Sequence, residues 1–207
     1  MVAVPDHLIV VLTFATIFVV ELPDKTFIAT LVLSTRYRPL LVWIGVGLAF
    51  AVQTAIAVAF GTAISFLPAE WVRLGAVALF LTGAVILFRA ARGADAAELE
   101  TEHDFEEKAV KAGPAHGFRA VGMSFLVLFA AEWGDLSQLL TLSLVARYAD
   151  PVAVFIGAWA ALLTVSGLAV LAGRALLKRI RLSLLHRLGA GVCVLLAALT
   201  VAELING

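Results

Sequence analysis

The sequence predicts an all-α, polytopic membrane protein with six transmembrane helices arranged as two inverted three-helix repeats. Three observations predict it. The 207-residue chain is 62% hydrophobic and only 14% charged, far from the balance of a soluble domain. Its apolar residues gather into stretches of bilayer-spanning length. Two of those stretches carry an acidic motif at matching positions, Glu21-Leu-Pro-Asp-Lys-Thr26 and Glu132-Trp-Gly-Asp-Leu-Ser137.

The six stretches run over 8–34, 40–66, 71–89, 118–146, 152–173 and 185–205. The first is too long and too internally charged to read as a cleavable signal peptide, and no small-residue cleavage site stands out in it. The second holds Gln53 and Thr54, the fourth repeats the acidic interruption of the first, and the sixth contains Cys193. A lone cysteine has no partner for an intramolecular disulfide, so Cys193 is expected to fill packing space.

The chain repeats itself at an offset of 111 residues: Phe18 meets Phe129, Glu21 meets Glu132, Asp24 meets Asp135 and Thr30 meets Thr141. After a one-residue shift Gly45 meets Gly157, and Arg73-Leu-Gly-Ala76 recurs as Arg187-Leu-Gly-Ala190. These matches divide the chain into a first repeat (1–92), a linker (93–117) and a second repeat (118–207). Three spans per repeat is an odd number, so the second repeat should sit upside down relative to the first, a recurring plan of secondary transporters.

Net charge is zero, but its distribution is not even. With six spans, the loops 35–39, 90–117 and 174–184 share one side. That side carries Arg36, Arg38, Lys108, Lys111 and the basic cluster from Arg174 to Arg187, against Arg73 and Arg147 opposite. The positive-inside rule places the basic loops in the cytoplasm and both termini outside it. The linker is rich in Asp and Glu, with His103 and Asp104 among them. Its charges follow no metal-ligand spacing and read as a solvated connection rather than a metal sensor or an amphipathic surface helix. No nucleic-acid motif, phosphate-binding loop or nucleophile-and-base pattern appears, which argues against an enzyme and against any permanently bound cofactor.

The chemistry lies in the two motifs. Each charge at mid-bilayer costs about 2.5–3.5 kcal/mol, so Glu21, Asp24, Glu132 and Asp135 must face one another, water or a cation. Residues three apart on a helix share a face, so Glu21 projects with Asp24 and Glu132 with Asp135, and face-to-face packing of the inverted halves would bring all four together. Pro23 cannot donate to the Val19 carbonyl, and Gly134 loosens the second helix at the matching position. Broken membrane helices are tolerated where they line a cavity, and their freed carbonyls can coordinate cations. Thr26, Ser137, Gln138, Gln53 and Thr54 are candidate neutral oxygen ligands, with helix packing as the competing reading.

Oxygen ligands without imidazole or thiolate favour hard divalent ions such as Ca²⁺, Mn²⁺ or Mg²⁺. His7, His103, His116 and His186 all lie at span ends or in the linker. Lys25 is placed to neutralise Glu21 when no metal is bound. A carboxylate withdrawn from water tends to take a proton in the absence of a cation, so metal and proton would compete for the same oxygens, as cation/proton antiport requires.

The doubled motif resembles the signature of the Gdt family of cation/proton exchangers, Glu-x-Gly-Asp-(Lys/Arg)-(Ser/Thr). Glu21, Asp24, Lys25 and Thr26 match its first copy, and Glu132, Gly134, Asp135 and Ser137 its second; Pro23 and Leu136 depart from it. The resemblance implies two inverted three-helix halves joined by a variable cytosolic linker. It also implies exchange of Mn²⁺ and Ca²⁺ for protons, with manganese export in bacterial members. The expectation is therefore a multi-pass protein of the bacterial inner membrane whose partners are divalent ions, protons and the lipid bilayer. Rival readings are an exporter of amino acids or organic cations, which would need a less acidic pocket, and a divalent-cation channel without proton coupling. The sequence leaves oligomeric state open.

Overall fold

The computed structural model describes residues 5–22, 24–92, 94–112, 117–179 and 182–206. These form α1 (Asp6–Glu21), α2 (Lys25–Arg36), α3 (Pro39–Ile64), α4 (Ala69–Ala90), α5 (Ala94–Ala112), α6 (Phe118–Ala131), α7 (Leu136–Tyr148), α8 (Pro151–Arg179) and α9 (Leu182–Asn206). Among the described residues three helical segments are singly long and apolar enough to cross a bilayer: Pro39–Ile64, Glu70–Ala90 and Pro151–Leu171. The predicted sixth stretch lies in α9, whose apolar part runs over Arg187–Ala202.

The stretches 8–34 and 118–146 are each two helices rather than one. The axes of α1 and α2 differ by 72°, and those of α6 and α7 by 75°; each pair, taken together, passes as one broken span. The local cause is capping. Asp24 and Asp135 adopt extended backbone angles and begin new helices. Asp24 Oδ1 accepts from the Lys25 amide at 2.8 Å, and Asp135 Oδ1 accepts from the Gln138 amide at 3.1 Å. Side-chain acceptance at a helix start satisfies donors that the helix leaves open. Pro39 and Pro151 open α3 and α8, where a missing N–H does no harm.

Packing follows the repeat. α1 lies against α8 and α6 against α3, while α3 meets α8 and α4 meets α9. The two equivalent crossings are matched in detail. A Cβ at Gly45 would strike the Val121 carbonyl and lie 2.9 Å from Ser124 Cβ. One at Gly157 would lie 2.6 Å from the Val10 carbonyl and 2.9 Å from Thr13 Cβ. Val121 and Ser124 stand 111 residues beyond Val10 and Thr13, so each half presents the same surface to the other. Indole bonds join the central pair: Trp43 Nε1 donates to the Leu163 carbonyl and Trp159 Nε1 to the Gly47 carbonyl, both at 3.0 Å. Outward-facing side chains such as Val11, Leu48, Val85, Leu171 and Leu195 are exposed apolar residues, as helices in contact with lipid tails require.

The polar segment between the repeats is not irregular. Most of it is α5, which packs against α2 and α9 and buries Phe105 in the main core. Lys108 lies over the Phe105 ring, 4.8 Å from its centroid. Lys111 pairs with Glu107 at 2.7 Å on the exposed face and holds that carboxyl below its ordinary value. Residues 113–116 and the basic side chains from Arg174 to Arg181 lie outside the described residues.

Candidate cation site

The two breaks meet inside the protein. Glu21 ends α1 and Asp24 starts α2, so the bend, not a shared helix face, brings these two together. Glu21, Asp24 and Asp135 each offer a carboxylate oxygen within 4.8 Å of the others. Ca²⁺–oxygen bonds of about 2.3–2.6 Å span a similar distance across one ion, so the three oxygens fit around a single hard cation. The set draws on both halves of the chain. Glu132 lies outside this set, at the position in the second repeat that Glu21 holds in the first.

Glu21 and Glu132 are each only 1% exposed, and their carboxylate oxygens have no hydrogen-bond donor among the described residues. A buried acceptor left unsatisfied costs about 1–3 kcal/mol, and more if charged. Either a proton or a metal ion answers that deficit. The buried hydroxyls of Thr13, Thr26, Thr30 and Ser124 are also unpartnered among the described residues. Thr26 sits on the N-terminal turn of α2, leaving its oxygen free to accept.

The remaining predicted residues take different roles. Ser137 donates its hydroxyl to Asp135 Oδ2 at 2.9 Å and so orients a ligand. Gln138 donates Nε2 to the Glu132 carbonyl at 2.7 Å, and its Oε1 accepts from the Gly134 amide at 3.3 Å. Gln53 Nε2 donates to the Phe129 carbonyl and Lys25 Nζ to the Ala131 carbonyl, at 3.0 and 2.9 Å. Carbonyls of the α6 end that were expected to be freed for a cation are therefore occupied by side-chain donors. Thr54 is buried next to Gln53 on α3. Gly134 has φ +75° in a turn closed by the Asp135 amide on the Glu132 carbonyl, a conformation that favours glycine. Pro23 lies outside the described residues. His7 and His103 are exposed, and neither belongs to the carboxylate cluster. His116 and the His186 side chain lie outside the described residues.

Sequence reasoning missed the role of Gly45 and Gly157 as contact points, although their pairing at the repeat offset was visible. It also missed the buried hydroxyls of Thr13, Thr30 and Ser124, which no motif marks.

A multi-pass membrane protein with an acidic, oxygen-lined site between two related broken helices is built as a cation transporter. Comparison with known proteins agrees. The family model described as divalent cation/proton antiporter GDT1 matches the chain twice, over residues 9–95 and 120–206, and the chain belongs to that family. A GDT1-like protein of Synechocystis is 39% identical over 137 residues, covering 63% of this chain and 66% of its own length. A chloroplastic GDT1-like protein of Oryza sativa is 29% identical over 93% of this chain and 61% of its own. The chain thus spans somewhat under two thirds of the length of these curated relatives. A protein of Vibrio cholerae named as a candidate manganese exporter is 30% identical, over 94% of this chain and 92% of its own. No solved structure matches the chain.

Proposed function

We propose that this chain exchanges divalent cations for protons, carrying Mn²⁺ out of the cytosol, with Ca²⁺ a second ion of the same coordination chemistry. The observation that carries the reading is the set of three carboxylates, from both halves, whose oxygens lie within 4.8 Å of one another. Glu21, Asp24 and Asp135 hold the ion and Glu132 adds negative charge beside it. Thr26 contributes a neutral oxygen, while Ser137 fixes the Asp135 carboxylate.

In this cycle the deprotonated cluster takes the metal from the cytosolic side, and the site turns to the other face. Protons then displace the ion, and the protonated carrier returns. The same oxygens cannot serve both cargoes at once, so metal movement in one direction is tied to proton movement in the other. The protein sits in the bacterial inner membrane with its basic loops inside and both termini outside. Residues 1–92 and 118–207 form the inverted halves, and 93–117 joins them in the cytosol.

The test is metal-driven proton movement in liposomes holding the purified protein and a trapped pH dye, with Mn²⁺ and Ca²⁺ offered in turn. The wild type is expected to change the internal pH, and Glu21→Gln and Asp135→Asn to abolish the change. Metal entry with no proton signal, or full activity in both variants, would overturn the reading.

A further inference from the structure

The two breaks are related by the repeat but are held by opposite chemistry. At the α6–α7 break three side chains donate to backbone carbonyls: Gln53 to Phe129, Lys25 to Ala131 and Gln138 to Glu132. The residues at the equivalent positions around the α1–α2 break are Val165, Leu136 and Phe27, none of which has a side-chain donor. Two of these, Phe27 and Val165, are instead buried with Ala169 in a separate apolar cluster against Phe18, Leu22 and Leu168. Phe18 and Leu22 are the repeat partners of Phe129 and Trp133. The same positions come together twice, once as hydrogen bonds and once as an apolar contact.

Hydrogen bonds fix direction and distance, whereas apolar contacts are non-directional and tolerate sliding. The satisfied polar groups fall on the same side as the bonds. Ser137 and Thr141 donate to Asp135 and to the Ser137 carbonyl, while their counterparts Thr26 and Thr30 are buried without partners among the described residues.

We propose that Gln53 and Gln138 are positioning residues that pin the α6–α7 break as a fixed frame, and that the α1–α2 break is the part that moves in the transport cycle. Lys25 reaches from α2 to α6 and is the latch between the two: of the three donor bonds, its bond to Ala131 is the one that movement of α2 must break. The inference rests on the exchange reading above and adds which element performs the turn.

The experiment measures backbone hydrogen exchange of the full chain in nanodiscs, with and without Mn²⁺, beside transport in liposomes. Mn²⁺ is expected to change protection across residues 18–27 by roughly tenfold or more and across 129–138 by less than about twofold. Equal change in both segments, a larger change in 129–138, or no change in either would overturn the proposal. Val165→Gln, which offers the first break a donor, is expected to lower turnover roughly fivefold with half-saturating Mn²⁺ kept within about twofold. Gln53→Val is expected to make 129–138 respond to the metal as 18–27 does. Wild-type turnover in Val165→Gln, or an unresponsive 129–138 in Gln53→Val, would also count against it. A wild type that shows the uneven protection but moves no protons would refute the exchange reading alone.

Discussion

Replacing Gly45 or Gly157 by alanine tests the reciprocal contact on which the two halves meet. At Gly157 the added carbon would lie 2.6 Å from the Val10 carbonyl oxygen, about 0.7 Å inside an ordinary carbon–oxygen contact. At Gly45 it would meet the Val121 carbonyl more closely still. In each case the obstacle is backbone, so the helices must part rather than a side chain turn aside. Overpacking of this kind costs about 1–3 kcal/mol. Gly122 and Gly191 lie on helices where an added methyl carbon would have no neighbour within 4 Å; there alanine should gain up to about 1 kcal/mol of helix propensity. The two classes of variant should therefore differ by about 1–4 kcal/mol. Unfolding in detergent micelles, followed by tryptophan fluorescence, reads the difference. If Gly45→Ala matched Gly122→Ala, or if only one of Gly45→Ala and Gly157→Ala were destabilised, the matched crossing of the halves would be wrong.

Three further outcomes are expected. Gly134→Ala forces an L-residue to φ +75° with open space around it, so it should cost about 1–2 kcal/mol of torsional strain. Gly134→Asn should cost less, as unfolding midpoints will show. Ser137→Ala removes the hydroxyl that holds Asp135 Oδ2 at 2.9 Å; a bond to a charged group is worth about 1.5–3 kcal/mol, so Mn²⁺ binding measured by calorimetry should weaken roughly tenfold or more. Phe105→Ala takes away the aromatic anchor of α5 at a cost of about 3–5 kcal/mol, and limited proteolysis should then cut within 94–112 much faster than in the wild type.

Much of this architecture was legible in the sequence. Hydropathy located the three single spans and the two broken ones, while the sixth predicted stretch is a shorter apolar helix, Arg187–Ala202. The doubled Glu-x-x-Asp spacing pointed to the cluster, because charge inside an apolar run is costly enough to require a partner. What the sequence did not reveal was geometry. It suggested that Glu21 and Asp24 share a helix face, whereas the Asp24 carboxylate caps a new helix and the bend does the work. Gln53, Gln138 and Lys25 were equally readable as ligands or neutralising charge. An amide can present oxygen or nitrogen, and which one faces the site depends on carbonyls supplied by α6. Burial of Phe105 was hidden for the opposite reason: one aromatic among acidic residues carries no periodic signal.

The crossings at Gly45 and Gly157 bear on what joining two repeats into one chain makes possible. Because each half offers the other the same surface, two identical copies could in principle dock by this contact alone, as any two-fold dimer does. Such a pair would be bound to change in step: a glutamine gained at one break would appear at the other. Within one polypeptide that constraint is gone, and Gln53 can stand on one side of the seam while valine stands at the equivalent position on the other. Covalent continuity thus permits individuality, two copies of one surface surrounding a site whose walls need not be alike.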